Sequence, residues 1–179
     1  MRRLAATGLV LFAILLALIP LSTPEITFKP TPPTEASIRA EMQREKLQHQ
    51  YDLAENQVDR VFRRVGCSTE FSEAIAHAAV NNHVPVRVLA GLVYVESTCR
   101  ANAVSYRDAV GLTQVNPRVW HYKRADLLNP YLNAELGARI LSVYIRHHGL
   151  KEGLHRYNGL GNPSDEYSEK VLRVAGYST

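Results

Sequence analysis

Apolar and charged residues recur with helical spacing through much of this chain. Between residues 35 and 65 there is no glycine or proline, and apolar side chains follow one another at steps of four and three residues, at Leu47, Tyr51, Ala54, Val58, Val61 and Val65. This seam predicts one long amphipathic helix over residues 35–65. The helix suits either a short coiled coil or packing against the domain that follows. We favour packing, because the seam covers fewer than three heptads.

Capping and stop signals divide the rest of the chain, residues 66–179, into further helices. Ser68 or Thr69 is expected to cap one helix, Pro85 to begin the next, and Pro130 to begin a long third helix. Two shorter helices are expected near the C-terminus. No stretch shows the period-two alternation of a β-strand. The sequence therefore predicts an all-α fold, with residues 66–179 as a single domain.

The first 22 residues form a segment of a different kind. Arg2 and Arg3 precede a run without charge from Leu4 to Ser22. A basic start followed by an apolar run is typical of a secretory signal, and the run also approaches the length of a membrane span. A cleaved signal peptide and an uncleaved anchor in the inner membrane are both expected alternatives, and either one exports the domain. Residues 23–34 contain four prolines, which predicts an extended linker.

Charge and cysteine content narrow the range of functions. The formal net charge of +4 includes Arg2 and Arg3, so the exported part carries about +2. This mildly basic charge suits an anionic surface such as a cell wall, but it is too small to indicate binding of nucleic acid. The two cysteines are Cys67 and Cys99. In an exported protein an even pair predicts a disulfide, with two buried free thiols as the alternative. Two cysteines cannot complete a four-ligand zinc site and no His-Glu-x-x-His motif occurs, so no metal is expected.

Glu96 is the candidate catalytic residue. It follows Leu89, Leu92 and Val93 at helical spacing, so its side chain shares the stripe that should face the core. Burial disfavours the ionised carboxylate and raises its pKa, as a general acid working near neutral pH requires. A carboxylate at the rim of the domain, or in an ordinary ion pair, is the alternative. Glu96 alone does not decide between these interpretations.

Several short motifs accompany Glu96 in order along the chain: Glu96-Ser97, Ala103-Val104-Ser105, Gly111-Leu112-Thr113-Gln114, Asn129-Pro130 followed by Asn133 and Gly137, and Tyr157-Asn158. In this order and approximate spacing, the chain from Gly66 to the C-terminus resembles the soluble lytic transglycosylase domain. That domain has a lysozyme-like fold and cleaves the glycan strands of peptidoglycan. The resemblance covers roughly the last 110 residues and implies an extracytoplasmic or periplasmic enzyme of the bacterial cell envelope.

The resemblance implies a role for each matching residue. Glu96 would protonate the glycosidic oxygen and afterwards act as a base. Tyr157 would approach the Glu96 carboxylate. The residues expected to contact the substrate are Ser97, Ser105, Gln114, Tyr157 and Asn158. Each also has an ordinary structural explanation as a turn, cap or core residue, but those explanations account poorly for the joint spacing. No metal or organic cofactor is implied.

The chain also departs from the family pattern. Thr113 stands where the family usually has Met, and Asp108 stands where Gly is frequent, which makes Asp108 a candidate second acid. Hydrolysis of a glycoside ordinarily uses two carboxyl groups. A lytic transglycosylase uses one, because the C6 hydroxyl of the substrate attacks and leaves a 1,6-anhydro product. We expect the second route. A hydrolytic lysozyme using Asp108 and a non-catalytic wall-binding or assembly module are the alternatives.

The short length and the apolar N-terminal run suggest a specialised lysin rather than a bulk recycling enzyme. Small transglycosylases of this kind open local gaps in the wall for secretion, conjugation or pilus machines, so such a machine is an expected partner beside peptidoglycan. Trp120 and Tyr122 are either sugar-stacking aromatics or core residues. Trp120 is expected to belong to the core.

Overall fold

The computed structural model describes residues 32–159 and 164–178, and Glu35–Thr179 forms one compact unit. Within the described residues there are seven α-helices and one 3₁₀ turn: α1 (Glu35–Val65), α2 (Ser72–Asn81), α3 (Val86–Ser97), α4 (Pro117–Trp120), the 3₁₀ turn (Asp126–Leu128), α5 (Pro130–His148), α6 (Leu150–Asn158) and α7 (Glu166–Ala175). Extended backbone in this part of the chain is limited to two isolated bridges, Val104 with Val110 and Val110 with Val115. The predicted all-α fold is confirmed.

The N-terminal predictions fall largely outside this range. The expected signal or anchor at residues 1–22, and most of the linker at 23–34, lie outside the described residues. None of the helices in the described part is long and apolar enough to cross a membrane. The proposed division of the chain into a leader, a linker, a long helix and a domain stays a prediction.

Helix α1 divides into two halves with different surroundings. Its C-terminal half buries Ala54, Val58, Val61 and Phe62 against the domain, which agrees with packing rather than a coiled coil. In its N-terminal half, every residue from 35 to 50 is exposed. Leu47, the first residue of the predicted seam, is exposed and does not contact the core. The seam contacts the core from Tyr51 onward.

The buried core lies around α3, which packs against α1, α2 and α7. Gly91 allows α7 to approach closely, since a Cβ atom at this position would lie 2.8 Å from the carbonyl oxygen of Val171. A smaller cluster holds the segment between α3 and α5 against α5, through Val110, Val115, Leu127, Leu136 and Ile140. This arrangement brings the C-terminal end of α3 beside the long loop that follows it.

The predicted helix ends are correct in some places and wrong in others. The cap expected at Ser68 or Thr69 is wrong, because α2 begins at Ser72 and Phe71 precedes it without a side-chain cap. The earlier residues form a turn instead, in which the Ser68 hydroxyl accepts a hydrogen bond from the Glu70 amide. At α5 the prediction is confirmed: Pro130 is its first residue and Asn129 caps it.

Candidate active site

A cleft of about 610 Å³ opens at the C-terminal end of α3. It is lined by Glu96, the loop that follows α3, α4, and parts of α5 and α6. Five of the predicted site residues line this one cleft: Glu96, Ser105, Gln114, Tyr157 and Asn158. Residues separated by more than 60 positions in the sequence thus meet at one surface.

Glu96 lies in the last turn of α3, at the end of the core stripe that the sequence predicts. Leu89, Leu92 and Val93 of the same stripe are fully buried, and Glu96 ends the stripe where it reaches the cleft. Removal from water raises the pKa of this carboxyl to about 7. A hydrogen bond from Tyr167 and the positive charge of Lys170 act in the opposite direction. Glu96 therefore exchanges its proton near neutral pH, which is the range that suits a general acid or base.

Tyr167 is the residue that contacts the carboxylate directly, and the sequence interpretation missed it. Its hydroxyl donates a 2.5 Å hydrogen bond to Glu96 Oε1. Burial, and then the nearby Glu96 charge, raise the pKa of Tyr167 well above its usual value, so this hydroxyl stays protonated and remains a donor. Tyr167 precedes Val171 by four residues on the face of α7 that packs against α3. That spacing places Tyr167 on the buried face of α7, but it does not indicate the contact with Glu96.

Tyr157 lines the cleft near Glu96, as the resemblance implies, but its hydroxyl bonds to the backbone and not to the carboxylate. Its hydroxyl donates a 2.8 Å hydrogen bond to the carbonyl oxygen of Thr113, which ties the end of α6 to the Gly111–Gln114 turn. Burial, followed by the charge of Glu96, raises the pKa of Tyr157, so the ring lies within electrostatic reach of the acid. Tyr157 and Glu96 thus interact through the charge of the carboxylate and not through a hydrogen bond. The hydrogen bond to the carboxylate comes from Tyr167.

Asn133 of α5 holds the Gly111–Gln114 turn through side-chain hydrogen bonds. This fully buried side chain accepts a 2.8 Å hydrogen bond from the Thr113 amide and donates to the carbonyl oxygens of Val110 and Leu127. The Thr113 hydroxyl also lies 2.8 Å from Asn133 Oδ1. Thr113 is thus a buried support of the turn and does not line the cleft, which explains how Thr is accommodated at this position.

Gln114 and Ser105 are positioned by backbone contacts within the loop. The Gln114 side-chain amide donates to the carbonyl oxygens of Gly111 and Ala103, at 3.0 and 3.2 Å. The Ser105 hydroxyl accepts a 3.0 Å hydrogen bond from the Ala109 amide. Gln114 also has a positive φ of 52°, a conformation that costs free energy for a residue with a side chain. Both side chains are therefore held by the folded loop and not left free at the surface.

Two predicted site residues are not brought to the cleft. Ser97 is 2% exposed, and its hydroxyl donates to the carbonyl oxygen of Val93 inside α3. It follows Glu96 by one residue, and a step of one turns the side chain about 100° around the helix, away from the cleft. Asp108 pairs with Arg124 at 2.5 Å and with Arg118 at 3.7 Å. Its carboxylate does not line the cleft.

The expectation that Trp120 belongs to the core is wrong. Trp120 is 39% exposed and lines the cleft, while Tyr122 is 38% exposed beside it. Helix α4 has only four residues and lies at the surface, where its N-terminus is capped by Asn116. It is too short to bury an aromatic face, so the indole stays accessible to a ligand.

A disulfide joins Cys67 to Cys99, with a Cα–Cα separation of 6.0 Å. It links two residues that each lie two positions beyond the end of a helix, α1 for Cys67 and α3 for Cys99. Thr98 and Cys99 both have positive φ, so the chain reverses sharply directly after the helix that carries Glu96. The bridge therefore restrains the C-terminal end of α3, in the turn next to Glu96.

A second groove, of about 650 Å³, lies between α1 and the α2–α3 connection. Among the described residues that form its walls there is no carboxylate, and the ionisable groups are Tyr51 and His83. It therefore lacks the acid that glycoside cleavage requires. The cleft at Glu96 is the better candidate active site.

Comparison with protein families places the site in context. The family model described as Transglycosylase SLT domain matches residues 73–170, a range that includes Glu96, the Gly111–Gln114 turn, Tyr157 and Tyr167. A comparison with curated proteins finds no match to the chain. The match covers more than half of the sequence and agrees with the helical architecture. The chain therefore has the all-α, lysozyme-like fold that the sequence predicted. The chain belongs to the transglycosylase SLT domain family.

Proposed function

We propose that this chain is a peptidoglycan lytic transglycosylase that cleaves the β-1,4 bond between N-acetylmuramic acid and N-acetylglucosamine. The family acts on peptidoglycan, which supports a glycan strand as substrate and the cell envelope as the place of action. The observation that carries the specific proposal is a single acid in the cleft. Among the lining residues that the structure describes, Glu96 is the one carboxylate, and its pKa is about 7.

One carboxyl group suffices for the intramolecular route. Protonated Glu96 donates its proton to the glycosidic oxygen, and the bond between that oxygen and C1 of the muramyl unit breaks. The muramyl C6 hydroxyl oxygen then bonds to C1, and its proton passes to the Glu96 carboxylate. This regenerates the acid and leaves a 1,6-anhydro end. Water is not consumed, and the Glu96 carboxyl ends the cycle protonated, as it began.

The neighbouring residues support this cycle in defined ways. Tyr167 donates to Glu96 Oε1 and so stabilises the ionised form that follows the first proton transfer. Ser105, Gln114 and Asn158 are proposed to bind the sugar hydroxyl and acetamido groups, since they line the same cleft. Tyr157 is proposed to hold the turn that carries Gln114, through its bond to Thr113. Ser97 and Asp108 have no role in this scheme.

Product mass tests the proposal against hydrolysis. The anhydro product is lighter by one water than the hydrolysed product, so mass spectrometry of digested peptidoglycan separates the two routes. We expect anhydro ends from the wild type, and also from Asp108→Asn, because Asp108 is paired with arginines and does not line the cleft. Products with only reducing muramic ends would refute the transglycosylase reaction.

A gel containing peptidoglycan tests whether the fold is catalytic at all. Wild-type protein should clear the gel and Glu96→Gln should not, since Gln cannot donate a proton to the glycosidic oxygen. Glu70→Gln is a matched control, because Glu70 is an exposed glutamate outside the cleft. Clearing by both the wild type and Glu96→Gln would exclude Glu96 as the acid. Clearing by none of the three would favour a non-catalytic wall-binding or assembly module.

We also propose that the domain acts outside the inner membrane, exported or anchored by residues 1–22, to open local gaps for a secretion, conjugation or pilus machine. This proposal rests on the apolar run in the sequence and on the family's substrate. Membrane fractionation of cells that produce the full chain would test it. Recovery in the cytosol, separate from both the membrane and the extracytoplasmic fraction, would contradict it.

A further inference from the structure

A small side pocket adjoins the cleft on the α5 side. It has a volume of about 160 Å³, and its walls are formed by Trp120, Tyr122, Leu136, Arg139, Ile140, Val143 and Tyr144. Three of these residues, Trp120, Ile140 and Tyr144, also line the main cleft. A ligand lying in the cleft can therefore extend a substituent past the shared wall and into the pocket.

The size of the pocket restricts what it holds. Sites for whole small-molecule ligands are usually larger than ~300 Å³. At about 160 Å³ the pocket is too small for a disaccharide and fits one side group of a chain bound in the main cleft. A glycan strand supplies such groups at regular intervals.

The walls of the pocket specify the chemistry of that group. Six of the seven lining residues are aliphatic or aromatic, and the seventh is Arg139. Trp120, Tyr122 and Val143 are each more than one third exposed, so they offer accessible apolar surface. The group that fits has an apolar part for this surface and an anionic part for the guanidinium.

Two arginines at the cleft and its side pocket have no ion pair among the described residues: Arg107, whose guanidinium lies over the Tyr106 ring, and Arg139. Arg118 and Arg124 share the Asp108 carboxylate, and Arg156 pairs with Glu152. Within the described part of the chain, Arg139 makes no ion pair. Its acidic neighbour one turn earlier on α5, Glu135, accepts a hydrogen bond from Asn82 instead.

We propose that this side pocket binds the first part of the peptide stem of peptidoglycan, with the lactyl and alanyl methyl groups against Trp120 and Val143 and the next carboxylate of the stem on Arg139. The stem is the anionic substituent of the glycan strand, whereas the acetamido groups are neutral and would leave the guanidinium unpaired. The enzyme then prefers strands that carry stems over strands that have lost them. This inference rests on the proposed function, since it assumes that a glycan strand occupies the cleft.

The test measures binding, so that it does not depend on turnover. The full chain carrying Glu96→Gln is titrated with soluble glycan fragments that carry stems, and with the same fragments after an amidase has removed the stems. We expect roughly 5- to 10-fold tighter binding of the stem-bearing fragments, which is typical of one charge-assisted hydrogen bond at a partly exposed site.

Further substitutions in the Glu96→Gln protein test which residues cause the tighter binding of stem-bearing fragments. Arg139→Gln should reduce the ratio of the two affinities to near one, and Arg139→Lys should restore part of it. Val143→Trp should reduce the ratio as well, by filling the pocket. The control is Arg146→Gln, an exposed arginine in the last turn of α5 that lines neither the cleft nor the pocket, and it should leave the ratio unchanged.

The outcomes separate this inference from the proposed function. Equal affinity for both fragments, or a ratio that Arg139→Gln leaves intact, overturns stem recognition even if the wild type releases anhydro products. A stem preference that depends on Arg139 supports the pocket even if the wild type cleaves nothing, and in that case only the catalytic proposal fails.

Discussion

Replacing Glu96 by Gln should stabilise the protein at alkaline pH and have little effect at acid pH. The native environment favours the neutral acid, so ionising Glu96 in the folded state costs free energy that the unfolded chain does not incur. Gln is neutral at every pH and keeps an oxygen that accepts the Tyr167 hydrogen bond. The residue proposed as the catalytic acid is thus expected to reduce stability near and above neutral pH.

The size of the effect follows from the two pKa values. The pKa of Glu96 rises from 4.5 to about 7 on folding. This difference of about 2.5 units corresponds to roughly 3 kcal/mol at 1.36 kcal/mol per unit. Because the folded-state pKa is the higher one, the wild type has its full stability below about pH 4.5 and loses this contribution as the pH rises through about 7. The variant has no such loss from this site.

Denaturant unfolding of the full chain at about pH 4 and about pH 8.5 measures the difference. We expect the free energy of unfolding of Glu96→Gln to match that of the wild type at the lower pH and to exceed it by roughly 3 kcal/mol at the higher pH. The exposed control Glu70→Gln should show no comparable change. If the difference between the wild type and Glu96→Gln is the same at both pH values, Glu96 is not a buried acid with a raised pKa.

Three further changes test other parts of the site. Tyr167→Phe removes the hydrogen bond that lowers the pKa of Glu96, so the alkaline limb of the pH–rate profile should move to higher pH; an unmoved limb would contradict this coupling. Gly137→Ala places a methyl group against the Thr113 side chain, which Asn133 holds in place, and should lower the free energy of unfolding by about 1–3 kcal/mol in denaturant titration. Ser142→Ala, at a half-buried position of the same helix, is the control; an equal loss in both variants would show that the close approach at Gly137 is not the cause. Reduction of Cys67–Cys99, which spans 32 positions, should lower the free energy of unfolding by roughly 3–4 kcal/mol on the chain-entropy model. A melting temperature that dithiothreitol leaves unchanged would show that the bridge does not support the fold.

Local patterns in the sequence predict the helices well. Hydrophobic periodicity and the proline and glycine residues at helix ends indicate α1 and α5 correctly. Both signals are local, because each depends on residues only a few positions apart. The same periodicity places Glu96 at the end of a buried stripe. The order of the motifs also indicates four of its neighbours in the cleft, namely Ser105, Gln114, Tyr157 and Asn158.

Contacts between distant residues required the tertiary structure. Tyr157 and Tyr167 are both aromatic residues near the C-terminus, and the sequence offers no measure of which one reaches Glu96. The answer depends on the packing of α7 against α3, across 71 positions. Asp108 has the chemistry of a second acid, but folding brings Arg124 and Arg118 to it and turns it into an ion pair.

By itself, then, the sequence determined the helical class and the candidate acid, since these depend on residue type and local spacing, and its resemblance to the family indicated most of the cleft. The tertiary structure decided that Tyr167 bonds to Glu96, that Asp108 pairs with arginines outside the cleft lining, and that Trp120 faces the cleft. It also decided that Arg139 meets an apolar pocket without an anionic partner among the described residues. These features depend on how separate helices pack, and a helix presents its face to a neighbour only once the core has formed.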